Sequence, residues 1–137
     1  MQVAALDLSI TSFFAGVLAL FYVKLTRDVL MLRQKKKVPV GNGGDEDLAR
    51  ALMAHENFSF NSLFFLLMMA LAEISLVSSY VLVIIGLFFM FARVIYSHSI
   101  KVYEKQKKVY GLRALGVMVT FGCLVALAAI NLYIGVF

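Results

Sequence analysis

Residues 51–96 read ALMAHENFSFNSLFFLLMMALAEISLVSSYVLVIIGLFFMFARVIY, and no lysine or arginine occurs in them before Arg93. Two apolar runs, Ala51 to Ala72 and Leu76 to Tyr96, are each long enough to cross about 30 Å of bilayer hydrocarbon, which takes roughly 20 helical residues. Only a tight link around Glu73 and Ser75 separates them. A backbone in hydrocarbon has to satisfy its own polar groups, so the two runs are expected as helices, and the short link makes them an antiparallel hairpin.

Working outward, Ala4 to Val23 upstream and Leu112 to Phe137 downstream have the same character. The first run carries Asp7, has no Lys or Arg before it and is longer than the apolar core of a secretory signal, so it is expected as a retained helix. The spacing therefore predicts an all-α integral membrane four-helix bundle, one domain over residues 1–137. The composition agrees: 62% of the chain is hydrophobic and 15% charged, against about a quarter charged in soluble domains. The single cysteine, Cys123, excludes an internal disulfide, a Cys-x-x-Cys redox pair and a thiolate zinc site. That removes quinone-coupled thiol oxidases, and no metal site is expected. Cys123 itself is expected as an inert core residue.

The net charge of +5 is not read as a nucleic-acid footprint, because the basic residues flank apolar spans and the polar surface of a nucleic-acid domain is missing. They fall in two connections. The first, Lys24 to Arg50, runs through Arg33, Lys35, Lys36 and Lys37, then Pro39, Gly41, Asn42, Gly43 and Gly44, then Asp45, Glu46 and Asp47. Pro and clustered Gly mark a turn, and the acids suit the positive end of a new helix dipole, so the second helix is expected to start near Asp45. The second connection carries Lys101, Lys105, Lys107 and Lys108 between Arg93 and Arg113, while residues 1–23, 51–92 and 114–137 contain no Lys or Arg. The positive-inside rule places both basic connections in the cytoplasm and both termini on the opposite side.

Polar side chains inside the spans are the functional clue, since a charged group at mid-depth costs on the order of 2.5–3.5 kcal/mol on insertion scales. Arg50, Asn57 and Asn61 share one face of the second helix, beside His55 and Glu56. The third helix ends in Arg93, Tyr96 and His98, and the fourth opens with Tyr110 and Arg113. Each has an ordinary reading: first-turn residues still in water, a snorkelling anchor for Arg93, an aromatic belt for Tyr96. Their convergence at one end of three helices fits an anionic, partly water-soluble ligand. Glu73 is expected to be solvated or capping on the far side, and Asp7 interfacial.

The run Gly43-Gly44-Asp45-Glu46-Asp47-Leu48-Ala49-Arg50 followed by Ala54-His55-Glu56-Asn57-Phe58 resembles the second-helix signature of the MAPEG proteins, the membrane-associated proteins in eicosanoid and glutathione metabolism. Leu32-Arg33 with Lys37-Val38, Ala92-Arg93-Val94 and Arg113-Ala114-Leu115 match the family in the same order. The resemblance implies a homotrimer with glutathione as co-substrate, bound between neighbouring subunits at the cytoplasmic end. It implies either conjugation of glutathione to lipophilic electrophiles or reduction of lipid hydroperoxides. By the same carry-over Arg113 would stabilise the thiolate, with Arg33, Arg50, His55, Asn57, Asn61, Arg93 and Tyr96 around the tripeptide. Arginine forks bind carboxylates well, and a nearby cation lowers a thiol pKa from about 8.5.

The sequence also departs from the family pattern. Met53 stands where an arginine is usual, Phe60 where a glutamate is common, Leu63 and Phe64 where proline often follows, and Tyr96 and His98 replace a histidine and then a tyrosine. These changes make part of a polar stripe apolar and leave a second reading open, a non-catalytic relative binding a membrane lipid or a partner protein. A small multidrug transporter has similar helices but needs a membrane-embedded acid, and none is placed at mid-depth.

Overall fold

The computed structural model describes residues 7–103 and 110–137. Four long helices make up almost all of it: α1 Ser9–Lys36, α2 Glu46–Ile74, α3 Ser79–His98, continued by a π-helical turn Ser99–Tyr103, and α4 Gly111–Val136. All four are long and apolar enough to span a membrane. Lys105, Lys107 and Lys108, expected in the second basic connection, lie outside the described residues.

The helices outrun the apolar spans. The first connection was expected to begin at Lys24, yet α1 continues to Lys36. Lys, Arg, Leu, Met and Gln, which dominate residues 24–36, are all strong helix formers, so hydropathy marks where the chain leaves hydrocarbon and not where the helix stops. What stops it is a Schellman-type turn. Lys37 takes a left-handed conformation, and the Val38 N–H donates to Arg33 O at 3.1 Å. Beyond Pro39, the chain turns through Gly41, Gly43 and Gly44, all at positive φ. It re-enters at Asp45, whose carboxylate accepts from the Leu48 N–H at 2.9 Å, the N-cap that the acidic cluster led us to expect. Lys36 reaches the same carboxylate at 2.7 Å. That hydrogen bond, with the Leu48 N–H behind it, holds the Asp45 carboxyl below the usual carboxylate range. The linkage contribution is therefore present above the ordinary carboxylate pKa and disappears as pH falls through the lowered value.

The α2–α3 hairpin turns over Ser75–Ser78, with Leu76 left-handed and Val77 N–H bonded to Ala72 O at 3.2 Å. At this end Glu73 is capping, one of the two roles expected of it, and is neither solvated nor in the link. It lies in the last turn of α2, 8% exposed, and its two carboxylate oxygens accept from the Ile10 and Thr11 N–H groups, both at 2.8 Å. Leu8, the residue before α1, offers no side-chain cap. Glu73 thus caps α1 from another helix, matching a negative charge to the positive dipole end and satisfying two otherwise orphaned donors.

α1 packs along α2 and α3 along α4, with α2 also touching α3 and α4. The core runs through Phe14, Leu18, Phe58, Phe65, Phe89 and Leu127, and Phe65 stacks on Phe89 with centroids 3.8 Å apart. Outside, the surface stays apolar: Leu20, Phe60, Leu63 and Met118 are each at least 70% exposed. A soluble bundle would place charge on these faces; a bundle in lipid needs only internally satisfied backbone. Cys123 is buried, as expected.

Close approach of α1 and α3 depends on Gly86, where an added Cβ would lie 2.2 Å from Cζ of Phe14. Phe14 is itself 1% exposed and has nowhere to swing. Gly86→Ala is expected to lower stability by about 1–3 kcal/mol through overpacking. Thermal unfolding in detergent, followed by circular dichroism, checks this; an unchanged midpoint would mean that the Phe14 ring yields freely.

Candidate functional site

At the end of the bundle that carries the basic residues, a cleft of about 310 Å³ opens between α2, the π-helical turn and α4, lined by Glu46, Ala49, Arg50, Met53, Ile100, Tyr110 and Arg113. Glu46, Ala49, Arg50 and Met53 recur at three- and four-residue steps, so one face of α2 supplies a full wall. Arg113, in the first turn of α4, faces that wall and its Nη2 approaches Met53 Sδ at 3.6 Å. Arg50 Nη1 donates to Ile100 O at 3.4 Å. The π-helical turn shapes the third side, and Lys101 within it pairs with Asp28 of α1, tying the turn to the first helix.

Behind the cleft lies a buried polar network. Arg93 is 1% exposed, so it does not snorkel. Its Nη1 donates to Asn57 Oδ1 at 2.6 Å, and its Nη2 donates to Gly116 O at 3.4 Å and to Thr120 Oγ1. Asn61 Nδ2 donates back to Asn57 O at 2.8 Å, and the Thr120 hydroxyl donates to Gly116 O at 2.8 Å. Among the described residues no carboxylate is within ion-pair distance of Arg93. The charge is instead spread over oxygen dipoles and two aromatic faces, with the guanidinium carbon 5.6 Å from the Phe89 centroid and 5.2 Å from that of Tyr96. Arg113 also approaches Tyr96, 6.0 Å from the same ring. Tyr96, 3% exposed, is therefore a fixed spacer between the buried Arg93 and Arg113 of the cleft.

The eight residues expected at the site thus fall into three groups. Arg50 and Arg113 share the cleft. Asn57, Asn61, Arg93 and Tyr96 form the packed layer beneath it. His55 and Arg33 lie elsewhere: His55 Nε2 is 3.1 Å from Thr26 Oγ1 and its ring is 5.0 Å from Tyr22, so it faces α1. Arg33 Nη1 donates to Gly41 O at 2.8 Å and to Val38 O at 3.3 Å and lines a different cleft. Two participants escaped the sequence reading. Thr120 carried a usable signal, since it lies seven residues after Arg113 and shares its helical face. The Asp28–Lys101 pair carried none, joining positions 73 residues apart.

A family model described as the MAPEG family matches residues 11–133, nearly the whole chain. No curated protein matches it.

Proposed function

The chain belongs to the MAPEG family, and from that premise we propose that it is a membrane-bound glutathione transferase or peroxidase acting on lipophilic electrophiles or lipid hydroperoxides. The observation that carries the reading is that Arg50 of α2 and Arg113 of α4 line one cleft, with Tyr110 beside them. Glutathione brings two carboxylates and a thiol. Arg50 suits a carboxylate, to which a guanidinium offers a planar fork. Arg113 stands against the thiol sulfur, where a cation favours the thiolate. The thiolate then attacks an electrophilic carbon, expelling a leaving group with its bonding pair or adding to a conjugated double bond that takes up a proton. With a lipid hydroperoxide it attacks the terminal oxygen and breaks the O–O bond, releasing the lipid alcohol after protonation and leaving a glutathione sulfenic acid that a second glutathione converts to disulfide and water. Asn57, Asn61, Arg93 and Tyr96 hold the geometry from beneath. The proposal includes the homotrimer, whose neighbouring subunit would close the open side of the cleft, and a cytoplasmic position for the basic end on the positive-inside rule.

A second reading, lipid or partner binding without catalysis, is favoured by Met53. It presents a thioether to Arg113 in the cleft where the family pattern has a cation. One titration separates the two. Reduced glutathione added to the protein in mild detergent at neutral pH is expected to give a saturable rise in ultraviolet thiolate absorbance. No binding up to millimolar glutathione would transfer the weight to the lipid-binding reading.

A further inference from the structure

Arg33, which the family resemblance puts around the tripeptide, lies in the structure at a cleft apart from that of Arg50 and Arg113, and this basic end of α1 has a site of its own. We infer that the cleft lined by Leu30, Arg33, Gln34, Lys37, Val38 and Pro39, of about 410 Å³, binds the headgroup of an anionic phospholipid, with its phosphate between Arg33 and Lys37.

Charge is the first argument. The lining contains two cations and no carboxylate. Lys36, between them in sequence, is taken up by Asp45 at 2.7 Å, whereas neither Arg33 nor Lys37 has an ion pair among the described residues. Orientation is the second. Arg33 spends only Nη1 on the carbonyls of Val38 and Gly41, which fixes the guanidinium plane and leaves the Nη2 and Nε donors for an anion. Lys37 is held at φ 56°, a left-handed position where glycine is the cheaper residue. The helix end thus carries a lysine in a conformation that lysine adopts only at a cost, and that lysine lines the cleft.

Depth identifies the ligand as a lipid. With 28 residues, α1 is about 42 Å long, longer than the hydrocarbon it crosses. Leu30, 60% exposed, lies seven residues below Lys37, about 10 Å nearer the membrane centre along the axis. A ligand that fills both ends has a phosphate at the outer level and an apolar chain below it. A free phosphate would leave Leu30 and Pro39 unused. This inference does not depend on glutathione binding, and the two fail separately.

The test is native mass spectrometry of the detergent-solubilised protein titrated with dioleoylphosphatidylglycerol, with dioleoylphosphatidylcholine as the neutral comparison. Lys37→Asn removes the charge but keeps a residue that accepts the left-handed conformation. Lys35→Gln removes an equal charge two residues earlier, outside the cleft lining. Lys37→Asn is expected to weaken phosphatidylglycerol binding about fivefold, with phosphatidylcholine binding unchanged and Lys35→Gln like wild type. Equal losses for both variants would reduce the site to a diffuse basic surface and overturn the inference, as would no loss in Lys37→Asn. Far-ultraviolet circular dichroism of each variant confirms that the helix end is kept.

Discussion

Arg93→Ala is expected to cost about 3–5 kcal/mol of stability, the range for removing one member of a buried charged network. The truncation leaves a cavity between α3 and α4 and takes away the cation toward which Asn57 Oδ1, Gly116 O and Thr120 Oγ1 are turned. It also removes the cation from the faces of Phe89 and Tyr96. Arg93→Met is expected to recover most of the loss. Methionine refills the space, and the remaining partners still bond among themselves: Thr120 to Gly116 O at 2.8 Å and Asn61 to Asn57 O at 2.8 Å. A well-packed apolar substitute for a buried ion is often neutral or better. Arg93→Lys should fall between the two, keeping the charge but losing the fork that reaches α2 and α4 together. Thermal unfolding of the four proteins in one detergent checks the order. If Arg93→Ala unfolded within about 1 kcal/mol of wild type, well below the buried-network range, the guanidinium would have to be reaching solvent, as the snorkelling reading had it.

That reading was reasonable from sequence, and its failure shows which parts of this protein are written locally. The four spans are legible because hydrocarbon imposes a length and an apolar composition on each crossing. The start of α2 was legible too, since Asp45 caps its own helix three residues on. Arg93 was not, because a cation near a helix end snorkels or turns inward according to what the other helices offer. Here Asn57 and Thr120, 36 and 27 residues away, accept it. Glu73 is the same case at the opposite end, an acid whose partners are the Ile10 and Thr11 N–H groups of another helix. Of the site, the meeting of Arg50 and Arg113 follows from each lying near the same end of its helix. The turning of His55 toward Thr26 and Tyr22 instead depends on how α1 is rotated against α2, which spacing on α2 alone does not determine.

Arg113→Ala is expected to lower kcat/KM for glutathione-dependent turnover by about 10²–10³, the usual effect of deleting one donor that stabilises a reacting anion. The fold should survive, because Arg113 occupies the first turn of α4 and lines the cleft rather than the core between the helices. The pH dependence tells what kind of loss this is. A cation beside the sulfur lowers the thiol pKa from about 8.5, so on the proposed reading wild type is expected to hold bound glutathione as thiolate at neutral pH. Without Arg113 the bound thiol returns toward its ordinary value, and the thiolate fraction at neutral pH falls. Above about pH 9 glutathione ionises unaided, so the rate deficit should shrink as pH rises. Arg113→Lys, which keeps a point charge, should retain part of the thiolate signal while losing the planar fork. A deficit that stays constant across the same pH range would mean that Arg113 only holds glutathione in place. Activity unaffected at every pH would remove Arg113 from the reaction and leave the shared cleft without the chemistry proposed for it.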